Sequence, residues 1–234
     1  MTPRNPYPGR SAPVTTVAPR PTRTVGPARA PRLRADASRN RERIVLAARD
    51  AFVEHGADAA LDDIAKRAGV GNATLYRNFP TRAALIREVA LLVKNRIVAI
   101  AERAAAEVPG PFEALERFAH ETVDEKVGAL CPMLTNHVDP HDPDLTAARE
   151  RLMTVAGGLL ERAKAAGEVR PDVDHGDLFI ALSQLTRPLP GTSCRLLDGF
   201  VHRHLQLLLD GMRAPAPSVL PGRAATFEDF HGDH

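Results

Sequence analysis

Asp62 to Phe79 reads DDIAKRAGVGNATLYRNF, and the pattern is that of two short helices joined by a tight turn. Ile64, Ala65 and Ala68 recur at helical spacing and give the first helix one apolar stripe, which Gly69 terminates. Leu75 is the apolar anchor of the second helix, and only Gly69-Val70-Gly71 lies between the two. So short a turn fits a helix-turn-helix, in which the second helix enters the DNA major groove with its N-terminal half toward base edges.

The flanks extend the same reading. Upstream, Ile44, Val45, Ala48, Ala51 and Phe52 form one face of an amphipathic helix over Arg39 to His55, with Ser38 as its expected N-cap and Gly56 as its stop. Downstream, Thr81 is placed to cap a fourth helix from Arg82. Leu85, Ile86, Val89, Leu92, Val93 and Ile97 mark that helix as far as the Pro109-Gly110-Pro111 break.

With IAKRAGVGNATLYRNF preceded by that helix and followed by Pro80-Thr81-Arg82-Ala83-Ala84-Leu85, the segment resembles the TetR family of bacterial transcriptional regulators. Two positions depart from the family pattern, which often has Thr or Ser at Ala60 and Ser at Gly71. Both are N-cap positions. A hydroxyl there satisfies an orphan N–H and reaches a phosphate, and Ala60 does neither. Gly71 remains an acceptable cap, so the second helix of the motif is expected to be the weaker one.

Beyond the break, Phe112, Leu115, Phe118, Val123 and Val127 predict a fifth helix, followed by the proline-interrupted Leu130-Cys131-Pro132-Met133-Leu134. Asp139 to Asp144 reads as a loop. Asp142 then caps, and Pro143 begins, a helix through Ala166 that Gly167 closes. Gly157-Gly158 within it costs about 1 kcal/mol per glycine relative to alanine, so a close helix contact or a kink is expected there. Asp174 and Asp177 form an acidic variant of the capping box for a helix ending near Pro188, and Ser193 starts a last helix to Met212.

The fold class is therefore all-α: a three-helix DNA-binding domain with a helix-turn-helix, then a helical bundle. The expected division is a disordered Pro/Arg-rich arm at 1–35, the helix-turn-helix domain at 36–82, the bundle at 83–212 and a flexible tail at 213–234. The resemblance implies that the bundle binds a small-molecule effector and dimerises through its last two long helices. Its irregular segment and Asp-Pro helix start are similar to the branch named for SbtR. Those implications carry the expected partners: a second copy of the chain, a near-palindromic DNA operator and an effector of unspecified chemistry.

Composition is compatible with this. The 234-residue chain has a net charge of +2, yet residues 1–34 hold seven arginines and no acid, leaving the remainder net acidic. No apolar run approaches the roughly 20 residues that span a bilayer, and a signal-peptide core is missing, so a cytoplasmic protein is expected. Cys131 and Cys194, the only thiols, are expected to be reduced and partly buried.

The residues expected to face DNA are Asn72, Ala73, Thr74, Tyr76, Arg77 and Asn78 from the second helix, with Arg39 and Arg41 upstream and Arg82 downstream. Thr74 and Tyr76 suit phosphates. Arg77 or Asn72 suits bidentate contacts to guanine or adenine edges, and Ala73 is small enough for close approach. Arg82 stands where the family usually has lysine and is expected to hold a phosphate, and the arginines ending the arm, Arg32 and Arg34, are candidates for phosphates or a minor groove. Val70, Leu75 and Phe79 are packing residues. An effector pocket would draw on Phe118, Thr122, Leu130, Met133, Met153, Leu160, Phe179 and Leu182.

His137, Asp139, His141, Asp142 and Asp144 crowd together, but adjacent prolines and the capping use of Asp142 favour a structural turn over a metal site. His202 and His204 project about 200° apart around a helix and cannot share an ion. One of them is expected at the dimer surface, and His120 reads as a polar helix residue. Neither a phosphate-binding glycine loop nor an activated nucleophile is evident, so no catalytic residue and no cofactor are expected. The competing reading is a helical ligand-binding or interaction module with a vestigial helix-turn-helix, suggested by Ala60 and the acidic Asp62-Asp63 pair.

Overall fold

A computed structural model of the chain describes residues 29–130, 137–187 and 194–230, with side chains described from residue 36 to residue 229 and, in the last helix, from residue 199. Eight α-helices are described: α1 (Arg29–His55), α2 (Leu61–Ala68), α3 (Asn72–Asn78), α4 (Arg82–Glu107), α5 (Pro111–Val123), α6 (Pro143–Ala165), α7 (His175–Leu185) and α8 (Cys194–Met212). Among the described residues there is no strand, only an isolated antiparallel bridge between Val169 and Arg213.

α1 begins well before the expected start, so Ser38 lies within the helix and is not its cap. Alanine and arginine are strong helix formers, and Pro31 falls in the first turn, where its missing N–H has no intrahelical partner to lose. The expected arm is thus helical from Arg29, while its first 28 residues lie outside the described ones, as do the side chains of Arg32 and Arg34.

Ile44, Ala48 and Phe52 of α1, Ile64 and Ala68 of α2, and Leu75 of α3 close a small core over which α4 lies. The near half of α4 contributes Leu85, Ile86 and Val89, and its far half buries Ile97, Ala101 and Ala104 in the same continuous cluster as Phe112 and Leu115 of α5 and Leu160 of α6. α4 therefore belongs to both domains. Thr81 caps it by accepting from Ala84 N at 3.1 Å.

α5 starts at Pro111, the last residue of the expected break, and stops at Val123, short of Val127. Lys126 takes a left-handed φ of 56°, which a helix cannot contain, and the chain turns helical again over 127–130. Most of the proline-interrupted segment, including Cys131 and Met133, lies outside the described residues. α6 is capped as anticipated: Asp142 accepts from Asp144 N and Leu145 N, both at 3.0 Å. The capping box of Asp174 and Asp177 at α7 is also present. The close contact expected at Gly157-Gly158 is not, since a side chain on either would meet nothing within 4 Å.

Where the sequence reads as a loose tail, residues 213–230 are laid along the start of α7. Ala225 N donates to Asp177 at 3.0 Å, and Phe227 sits 4.3 Å from the His175 ring. Gly176 permits the approach, because a Cβ there would be 2.3 Å from the Ala225 carbonyl oxygen. Arg170, 4% exposed, donates to Ser218 O at 2.6 Å and forks onto Asp172 at 2.6 and 2.9 Å.

The Arg170 hydrogen bonds pull the Asp172 carboxyl down from 3.8 to about 2. Because the folded value is depressed, the contribution of this pair is present above the ordinary carboxylate value and is lost as pH falls toward 2. Acid titration should therefore loosen the tail between pH 3.8 and about 2, seen as rising protease sensitivity near Ser218. Asp172→Asn should remove that transition; an unchanged acid profile in the variant would contradict the assignment.

Candidate nucleic-acid interface

The reading head is set by how α2 ends. Gly69 adopts φ 62°, with its N–H on the Lys66 carbonyl at 3.1 Å and Val70 N–H on the Ala65 carbonyl at 3.0 Å. This left-handed closure reverses the chain within the turn, and Arg43 of α1 ties it down by donating to Gly69 O at 3.2 Å. Gly71 caps α3 with its backbone alone, its carbonyl accepting from Thr74 N at 2.8 Å and Leu75 N at 3.2 Å.

Ala60 likewise makes no side-chain cap bond. Asp62 and Asp63 occupy the first turn of α2, where carboxylates stabilise the helix dipole, and Asp62 accepts from Asn72 Nδ2 at 2.7 Å. The acidic pair therefore offsets the missing hydroxyl and links the two helices.

Leu75 and Phe79 are each 1% exposed, which fixes the outward face of α3. Asn72, Ala73, Tyr76 and Arg77 are exposed, and Thr74 and Asn78 are half-buried. Tyr76, a large side chain, is 48% exposed. Arg77 lies back along its own helix, donating to Ala73 O and Thr74 Oγ1, each at 3.1 Å, and Asn78 donates to Thr74 O at 2.8 Å. The Arg77 bonds are exposed and local, worth about 1 kcal/mol or less each, and are readily exchanged for contacts to a duplex.

The flanking arginines behave differently. Arg39 is exposed and pairs with Asp36. Arg41 donates to Asn78 O at 3.2 Å, pairs with Glu88 at 2.9 Å and stands 4.4 Å over the Phe79 ring, so it braces α3 against α1 and α4. Arg82 donates to the carbonyls of Ala57 and Ala59 at 2.6 and 2.7 Å, fastening the start of α4 to the turn before α2. Arg43 and the bracing role of Arg41 escape sequence reading because their partners lie 26 and 37 positions away.

Arg82→Ala should consequently lower stability without any DNA, by about 1–3 kcal/mol, as two carbonyls lose their donor. Urea unfolding of the DNA-free variant checks this. An unaltered midpoint combined with a flatter salt dependence of DNA binding would assign Arg82 to a phosphate alone.

In the bundle, Phe118, Thr122, Leu130, Leu160 and Leu182 are all buried, while Met153 and Phe179 are half-buried. Phe179 meets Phe227 of the tail edge-on at 6.0 Å. Thr122 Oγ1 is buried with no hydrogen-bond partner. A cavity of about 220 Å³ lies elsewhere, between Ala90 and Lys94 of α4, the loop Val138-Asp139-Pro140, and Leu145, Thr146 and Arg149 of α6. None of the described sequence candidates lines it.

The histidine–aspartate cluster resolves into caps: Asp139 accepts from His141 N at 2.9 Å, and Asp142 caps α6 while accepting from Arg87. His120 Nδ1 lies 2.9 Å from His202 Nδ1 across α5 and α8, and His204 bonds to Phe200 O within α8.

A tightly closed helix-turn-helix carried by α4 onto a second all-helical domain defines a DNA-binding protein of the two-domain helical class. Residues 44–89 match the family described as bacterial regulatory proteins, tetR family, and residues 110–214 match the C-terminal domain of SbtR-like transcriptional regulators. A TetR transcriptional regulator of Streptomyces coelicolor is 34% identical over 75% of this chain and 99% of its own, with a TM-score of 0.56. Another from Mycobacterium vanbaalenii is 33% identical over 78% and 99%, at a TM-score of 0.55. The regulator LfrR of Mycobacterium smegmatis, solved with proflavine, shares the fold at 23% identity over 78% and 99%, with a TM-score of 0.54. Comparison with the curated proteins gives no match. The chain belongs to the TetR family of transcriptional regulators.

Among the described residues no helix is long and apolar enough to cross a membrane, and no cluster of three ligating side chains could hold a metal ion.

Proposed function

We propose that the protein is a homodimeric repressor that binds a near-palindromic operator and is released from it by a small-molecule effector. The observation carrying this is the outward face of α3, where Asn72, Tyr76 and Arg77 stand exposed above the buried Leu75 and Phe79. Arg77 and Asn72 read base edges, while Thr74, Tyr76 and Arg39 hold phosphates.

Ile180, Phe200 and Leu207 on α7 and α8 are 40%, 52% and 61% exposed, which supports dimerisation through the last two long helices. The orphaned Thr122 hydroxyl, one helical turn beyond Phe118, supports an effector pocket in the bundle, since an unmade buried hydrogen bond costs about 1–3 kcal/mol that a ligand group would recover. A dimer presents its two heads about 34–36 Å apart or a multiple of that, and the effector acts by changing the spacing. The vestigial-module reading keeps Ala60, which makes no side-chain cap bond, whereas Asp62 and Asp63 lie in the first turn of α2, where carboxylates stabilise the helix dipole.

Selection of bound duplexes from a random library at two salt concentrations tests the reading. A recovered near-palindrome is expected, and Arg77→Ala should alter its sequence rather than weaken all duplexes alike. Weak binding without a motif that vanishes at higher salt would refute sequence-specific regulation.

A further inference from the structure

The cavity between α4 and α6 joins an apolar body to the side chain of Arg149. Ala90, Val138 and Pro140 supply apolar wall, and Lys94 and Arg149 enter from α4 and α6. Among the described wall residues Asp139 is the one acid, and its carboxylate accepts from His141 N. Arg149 is half-buried and makes no hydrogen bond or ion pair among the described residues. A guanidinium partly withdrawn from water and joined to no carboxylate favours an anion beside it, and its planar fork matches a carboxylate.

The position of the cavity gives its occupant a route to the reading head. Asp142, between Pro140 and Leu145 of the cavity wall, is gripped by Arg87 of α4 at 2.6 and 3.1 Å, and Arg87 also holds Asp144 at 2.5 Å. Ala90 lies one helical turn beyond Arg87. Next to Arg87, Glu88 accepts from Arg41, and Arg41 donates to the carbonyl of Asn78, the last residue of α3. A ligand wedged between α4 and the 138–149 segment bears directly on this clamp.

We propose that the cavity is a second small-molecule site, separate from the bundle pocket, for a compact organic carboxylate with an apolar body, and that its occupancy is felt at α3 through Arg87. The binding half stands by itself, and the coupling half rests on the proposed DNA reading. Calorimetric titration of the full chain with sodium benzoate, and with benzamide as its neutral counterpart, tests the first half. Saturable benzoate binding is expected, with benzamide much weaker.

Arg149→Met should weaken benzoate about 10- to 100-fold, the range of a charge-assisted hydrogen bond, and Arg149→Lys should retain part of the affinity. Thr122→Val, in the bundle pocket, should leave it unchanged. Absence of benzoate binding, indifference to Arg149→Met in a folded variant, or loss on Thr122→Val would each overturn the site. For the second half, benzoate should lower the affinity of the wild type for a selected operator and leave that of Arg149→Met alone. Binding without that shift overturns the coupling, whereas failure to select any operator rejects the DNA reading and leaves the titration to decide the site.

Discussion

Phe79→Ala should unfold the reading head or leave it barely stable. The ring is 1% exposed at the end of α3 and joins α1, α2 and α4 in one core, so its truncation should cost about 3–5 kcal/mol. The Arg41 guanidinium over the ring adds about 0.5–1 kcal/mol to that loss. Set against a typical domain stability of about 5–15 kcal/mol, the variant should show a much lower urea midpoint and little operator binding. A loss below about 1 kcal/mol, the average for any substitution, would mean that the ring does not fill the space between the helices.

Gly128→Ala should be nearly as severe in the other domain, for a steric reason. A Cβ at Gly128 would lie 1.8 Å from the Ser183 carbonyl oxygen and 2.8 Å from Arg187 N, both backbone atoms of the α7 end that no rotamer change can move. The 127–130 turn and α7 would have to separate. That would break the bond from Gly128 N to Thr186 Oγ1 at 2.7 Å. Overpacking costs about 1–3 kcal/mol where side chains can adjust, so this backbone collision should reach or exceed the upper end. Thermal unfolding measures it; an unshifted midpoint would show that the two segments are not in contact.

The helix-turn-helix was legible because everything that defines it is local. The stripe of Ile64, Ala65 and Ala68, the stop at Gly69 and the anchor at Leu75 lie within one short stretch, and each sits where its spacing places it. The caps at Thr81, Asp142 and Asp174 were legible for the same reason. What escaped depends on partners distant in sequence. Arg41 and Arg82 carry the right charge for phosphates, but their guanidiniums fasten α3 and α4 to backbone carbonyls of other elements. The tail composition says nothing of Arg170 and Asp177, which receive it from 48 positions away. Likewise the cavity forms where a loop crosses α4, so helical periodicity, which marks cores, pointed to Phe118 and Leu160 instead.

α4 is one unbroken helix of 26 residues shared by two cores. At about 1.5 Å per residue it is a rod about 39 Å long. Pivoted at its far end, such a rod turns a tilt of about 5° into a displacement of about 3 Å at Arg82, close to the spacing of one base step along a strand. The helix thus has the mechanical advantage of a lever: a rearrangement too small to break any packing layer of the bundle would move the reading head by about one base-pair step.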